Sequence, residues 1–127
     1  MQKKRSVLIV DDDVASSQME KMILEQTGLY SVNVCNRGSD AFKVIQTTQP
    51  ELVLLDVMMP DVDGTEIAER VQKDKSLAFI QIVFMTALAS PQDVGRGSLI
   101  GGRPFIPKPI SSESFLKRVN GFFKVEN

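Results

Sequence analysis

Leu52-Val53-Leu54-Leu55-Asp56-Val57-Met58-Met59-Pro60 carries four apolar residues straight into a single carboxylate. No polar residue alternates with them, so a strand built from this run has both faces covered, as in a parallel sheet sandwiched between helices. Pro50 separates the run from the amphipathic stretch before it. Working outward, Val7 to Val10 is a second apolar run and ends in Asp11-Asp12-Asp13, Ser31 to Cys35 reads as a third strand, Phe79 to Thr86 as a fourth, and Phe105-Ile106 marks a fifth. Helical spacing fills the intervals. Ala15, Met19, Met22 and Ile23 repeat until Gly28 ends the first helix, and Ala41, Val44 and Ile45 line one face of the second. A third helix runs from about Thr65 with Ile67, Ala68 and Val71 inward, and Phe115, Leu116, Val119, Phe122 and Phe123 give the last helix its apolar face.

Apolar strands alternating with crossover helices imply an α/β fold: a flavodoxin-like, doubly wound, five-stranded parallel sheet in the order 2-1-3-4-5, with helices on both faces. Such sheets bind ligands outside the carboxyl ends of the strands, where the strand order reverses. Carboxylates gather there: Asp11, Asp12 and Asp13 follow the first strand and Asp56 the third, while Thr86 ends the fourth and Lys108 follows the fifth. Clustered carboxylates repel one another unless a cation sits among them or one is protonated. An all-oxygen set suits a hard ion, and Mg²⁺ accepts one or two carboxylates while keeping waters and phosphate oxygens.

Composition narrows the chemistry. The 127 residues are 43% hydrophobic and 24% charged, which suits one globular domain over 1–127 with a polar tail or the start of a linker at its end. Fifteen basic against sixteen acidic side chains give a net charge of −1, which argues against direct nucleic-acid binding and a polybasic membrane contact. With no histidine, this chain has no histidine triad, histidine metal site or phosphohistidine of its own, and the single Cys35 rules out an internal disulfide. The apolar run after Met1-Gln2-Lys3-Lys4-Arg5 stops at Asp11, too early for a leader, and no stretch approaches the roughly 20 residues of a membrane helix. A cytoplasmic protein is the expectation.

Four stretches, Val-Leu-Ile-Val-Asp11-Asp12-Asp13, Leu-Val-Leu-Leu-Asp56-Val-Met-Met-Pro60-Asp-Val-Asp63-Gly64, Phe-Met-Thr86-Ala87 and Ile-Pro-Lys108-Pro109, resemble in order and spacing the receiver domain of two-component response regulators. The resemblance spans essentially the whole chain. It implies that Asp56 is the phosphoacceptor, taking a phosphoryl group from a partner histidine kinase or phosphotransfer protein. It also implies that Asp11, Asp12, Asp56 and the backbone carbonyl of Met58 hold Mg²⁺. Thr86, Ala87 and Lys108 would bind the phosphoryl group, Phe105 stands where the family has its switch aromatic, and the Lys108-Pro109 bond is expected to be cis. Met58 and Leu88 stand where family members tune hydrolytic water; both are apolar, so slow self-dephosphorylation is expected. On this reading the chain is a signalling module, not an enzyme with turnover, and meets an output partner or domain through its fourth helix, fifth strand and last helix.

Other readings of these residues are narrower. Asp13 is an N-cap or first-turn acid of the first helix rather than a ligand. Asp61-Val62-Asp63-Gly64-Thr65 imitates the nucleophile motif of haloacid-dehalogenase-type phosphatases, but that motif follows its strand directly and here Met58-Met59-Pro60 intervenes. An EF-hand in the same place would have Met59 and Arg70 at its first and last positions, and neither is a carboxylate. The alternative from another class is a receiver-like interaction domain that works without phosphorylation. The chain departs from the family in the segment Gly95 to Pro104, expected to be the fourth helix and its exit. It holds four of the eight glycines, and each glycine costs a helix interior about 1 kcal/mol, so this helix is expected to be short or frayed.

Overall fold

Successive side chains of a strand point to opposite faces, and here that alternation sorts the apolar residues into two cores on either side of one sheet. The computed structural model describes residues 3–87, 99, 100 and 102–124. Its strands are β1 (Arg5–Val10), β2 (Tyr30–Cys35), β3 (Leu52–Asp56), β4 (Gln81–Thr86), β5 (Leu99–Ile100) and β6 (Arg103–Pro107), and its helices are α1 (Val14–Glu25), α2 (Gly38–Thr48), α3 (Gly64–Lys73) and α4 (Ser112–Phe122). The sheet order is β2-β1-β3-β4-β6-β5. The five long strands are parallel, in the expected order, and β5 is a two-residue antiparallel addition that pairs Leu99 with Pro104 and Ile100 with Arg103.

That short strand falls where the sequence suggested a helix and its exit. The rest of the expected fourth helix lies outside the described residues, as does Leu88. Pro104 and Pro107 both sit in β6, close to the sheet margin, where a residue without an N–H is tolerated.

One core holds Leu8, Val10, Ala41, Ile45, Val53, Leu55, Ile67, Val71, Ile82, Phe84 and Phe105 beneath α2 and α3. The other holds Val7, Ile9, Leu24, Leu52, Leu54, Val83, Met85, Ile106, Phe115 and Val119 beneath α1 and α4. Tyr30 is fully buried in the second core and donates its hydroxyl hydrogen to Asn120 Oδ1 of α4. Phe122 and Phe123 both pack against this core, and the Phe123 ring lies 5.5 Å from that of Tyr30.

Helix α1 corrects one expectation. Of the residues expected on its inward face, Met19 and Met22 are exposed at 59% and 55% and Ala15 is exposed as well, while Ser17 and Leu24 are buried. The inward stripe runs through Ser17, Glu20, Lys21 and Leu24, with Ile23 half-buried against the core as expected. Helices α2 and α3 bury the expected Ala41, Ile45, Ile67, Ala68 and Val71. No helix among the described residues is long and apolar enough to cross a membrane.

Candidate functional site

The ends of β1, β3 and β6 converge on a small polar pocket. Asp11 follows β1; its backbone N–H donates to Cys35 O, and its Oδ1 accepts from the Asp13 N–H at 2.9 Å. Asp13 in turn caps α1 by accepting from Ser16 N at 3.1 Å, which makes it the N-cap expected from sequence. Asp56 is the last residue of β3, and its Oδ1 accepts from Met58 N at 3.3 Å. Ligand atoms from Asp11, Asp12 and Asp56 lie within 4.8 Å of one another. Asp11 is buried, Asp56 partly buried and Asp12 exposed, so the pocket opens to solvent on one side.

Lys108 reaches in from the turn after β6. Its Nζ lies 2.6 Å from Asp11 Oδ2 and 3.9 Å from Asp56 Oδ2. Its backbone N–H donates to Thr86 O at 2.9 Å, which ties the lysine turn to the end of β4, and the Lys108–Pro109 peptide bond is cis. Thr86 is buried, and the exposed Ala87 follows it. Phe105 is buried in the core beneath α2 and α3, paired in register with Phe84 and on the sheet face that Ile82, Phe84 and Thr86 share by alternation. Met58 is 62% exposed at the mouth of the pocket.

The turn after β3 is held from below. Gly64 N–H donates to Val57 O at 2.8 Å, and Met58 bridges to Asp63. A Cβ on Gly64 would lie 2.2 Å from Asp56 O, so no other residue fits without displacing the backbone that carries the carboxylate. Asp63 caps α3 through Thr65 N. Asp61 reaches across to α2, whose own N-cap Arg37 makes no side-chain cap, and accepts from Ser39 N at 2.8 Å. Those backbone hydrogen bonds at the start of α2 hold the Asp61 carboxyl below the usual range. The Asp61 to Thr65 stretch therefore serves as a double helix cap.

Burial pushes the Asp56 carboxyl up to about 6, with Asp11 and Asp12 adding to the rise and the Lys108 ammonium and Met58 N–H opposing it. Burial alone would lower the Lys108 ammonium, but its hydrogen bond to Asp11 and the charges of Asp11, Asp56 and Glu20 outweigh that and leave it raised. Three carboxylates facing one ammonium leave the pocket short of positive charge. The all-oxygen donor set of Asp11, Asp12 and Asp56 fits a hard divalent cation.

Two contributors escaped the sequence reading. Asn36 Nδ2 donates to Asp11 O at 2.7 Å and to Ser17 Oγ at 2.9 Å, pinning the β1 end to α1. Glu20 of α1 borders the pocket as a fourth carboxylate, and burial raises it to about 7 against the pull of Lys108. Its signal was present: a charge three residues after Ser17 and four before Leu24 lies on the inward stripe, but the exposed methionines suggested a different face.

The model of the family described as the response regulator receiver domain matches residues 7–120. Over 118 residues the chain is 34% identical to the DNA-binding dual master transcriptional regulator RpaA of Synechocystis, covering 93% of this chain and 48% of that protein. It is 28% identical to the polar-differentiation response regulator DivK of Brucella anthropi, covering 93% of this chain and 95% of DivK. The structure of the chemotaxis response regulator CheY4 of Vibrio cholerae superposes with a TM-score of 0.80 at 28% identity, covering 94% of this chain and 98% of that one. The chain spans about half the length of RpaA and of the transcriptional regulatory protein TrcR of Mycobacterium tuberculosis, at 48% and 45%.

Proposed function

The chain belongs to the receiver domains of response regulators, and we propose that it relays a signal by accepting a phosphoryl group on Asp56 from a phosphohistidine of a partner kinase or phosphotransfer protein. An Asp56 carboxylate oxygen attacks phosphorus, the phosphorus–nitrogen bond breaks, and the imidazole departs with the bond pair while Asp56 becomes an acyl phosphate. Such transfers ask little covalent chemistry of a protein beyond alignment and charge neutralisation. Asp11, Asp12, Asp56 and the Met58 carbonyl would hold Mg²⁺, which when bound offsets the charge on the phosphoryl oxygens. Lys108 pairs with one phosphoryl oxygen, and the Thr86 hydroxyl and the adjoining Ala87 receive another. Movement of Thr86 toward the phosphoryl group vacates space for Phe105, and the change reaches an output partner or domain through the β6 and α4 face and the glycine-rich segment before it.

The observation that carries this reading is the meeting of Asp11, Asp12 and Asp56 within 4.8 Å with the Lys108 ammonium 2.6 Å from the first of them. The test is a beryllofluoride and Mg²⁺ titration followed by amide NMR. Shifts that require both reagents, spread from Asp56 to Thr86 and Phe105, and vanish in Asp56→Asn are expected; a response that ignores Mg²⁺ or survives the substitution would leave a receiver that works without phosphorylation. Met58 presents an apolar side chain two residues after Asp56, where a polar one would hold hydrolytic water, so Met58→Asn should shorten the phosphoryl lifetime.

A further inference from the structure

Glu20 is an anomaly. Its Oε1 is wholly buried and has no hydrogen-bond partner among the described residues, although buried acceptors are almost always paired. The side chain that carries it lies at the wall of a cleft and not in a dry core. Glu20 and Lys108 line the same cleft of about 360 Å³ between α1 and the turn before α4, walled by Met19, Ile23, Ile110 and Phe115. The lysine that borders this cleft spends its ammonium on the other side, on Asp11 at 2.6 Å and Asp56 at 3.9 Å.

Resting on the metal reading above, we infer that Glu20 is the second seat of the Lys108 ammonium, the acceptor to which Lys108 turns when a divalent cation displaces it from Asp11. A cation entering the pocket competes directly with Lys108, because both need the Asp11 carboxylate. An ammonium expelled into this mostly apolar cleft, which apart from Glu20 offers only the hydroxyls of Ser16 and Ser112, would carry a desolvation cost. Glu20 removes that cost without touching the metal. Asp11, Asp56 and Asp13 repel the Glu20 carboxylate, and the Lys108 ammonium attracts it. Glu20 is thus a positioning residue: it acts on metal loading through Lys108.

A double-mutant cycle on Mg²⁺ affinity tests this. Calorimetric titrations of the whole chain with MgCl₂ would compare wild type, Glu20→Gln, Glu20→Leu, Lys108→Met and the two Glu20 variants combined with Lys108→Met, with thermal melts confirming that each folds. Each Glu20 variant alone should bind Mg²⁺ about tenfold more weakly, the scale of one lost charge-assisted contact, and the loss should disappear in the Lys108→Met background. An equal loss in both backgrounds would show plain charge attraction to the cation and overturn the inference. Unchanged affinity in the single variants would overturn it while leaving the metal site intact, and no saturable binding by wild type would overturn the metal reading together with it.

Discussion

Gly64 and Asp56 are eight positions apart in sequence and in contact in space. Replacing Gly64 with Ala would drive a methyl to 2.2 Å from Asp56 O, so Gly64→Ala should cost about 2 kcal/mol or more in a denaturant melt and shift the Asp56 resonances most. Asp56 itself is held at a cost. Its raised carboxyl binds a proton more tightly folded than unfolded, so the stability this provides is complete below pH 3.8 and is lost as pH rises through about 6. Asp56→Asn has no proton to lose and should outlast wild type in metal-free melts near pH 8 by about 1 kcal/mol after allowance for solvent screening, the difference closing toward pH 4. The pattern of the sequence singled out Asp11, Asp12 and Asp56, because carboxylates that end apolar runs stand out, while Lys108 drew its expected role from the family resemblance. Asn36 did not stand out, being an ordinary loop residue until the fold brings it against Asp11 O, and Asp61 stood out only within a phosphatase-like motif and not as the acceptor for Ser39 N.

Among the helices, α3 was the most legible and α1 the least. Ile67, Ala68 and Val71 point inward as their spacing demands, whereas in α1 the apolar Met19 and Met22 face solvent and the inward stripe carries Ser17 and Glu20. Apolar periodicity identifies a buried face only when the buried residues are the apolar ones, and α1 trades that for polar groups near the pocket. The trade is measurable. Glu20 is raised from 4.5 to about 7, so wild type loses stability as pH rises through that window. Glu20→Leu should be more stable than wild type near pH 8 by about 1 kcal/mol, with a smaller gap near pH 4. Helix α2 depends on a borrowed cap, and Asp61→Ala should speed amide exchange at Ser39 and the first turn of α2 while leaving α3 unaffected.

At the scale of the whole molecule, the strand order was readable because each parallel strand announces itself as an apolar run, and the doubly wound arrangement follows from the need to cover both faces. The contact between Tyr30 of β2 and Asn120 of α4 was not readable, being a pairing across 90 residues. Tyr30→Phe should lower stability by about 1 kcal/mol in a denaturant melt without disturbing the carboxylate pocket. The two-residue β5 was equally hidden, and it has a consequence for how copies of this chain behave toward one another. Exposed strand margins are templates for aggregation. Here Leu99 and Ile100 occupy the margin beside Arg103 and Pro104, and the second proline, Pro107, ends β6 without an N–H to offer. This border of the sheet is therefore a poor template for growth by an incoming strand, and concentrated solutions of the chain should resist fibril formation from that side.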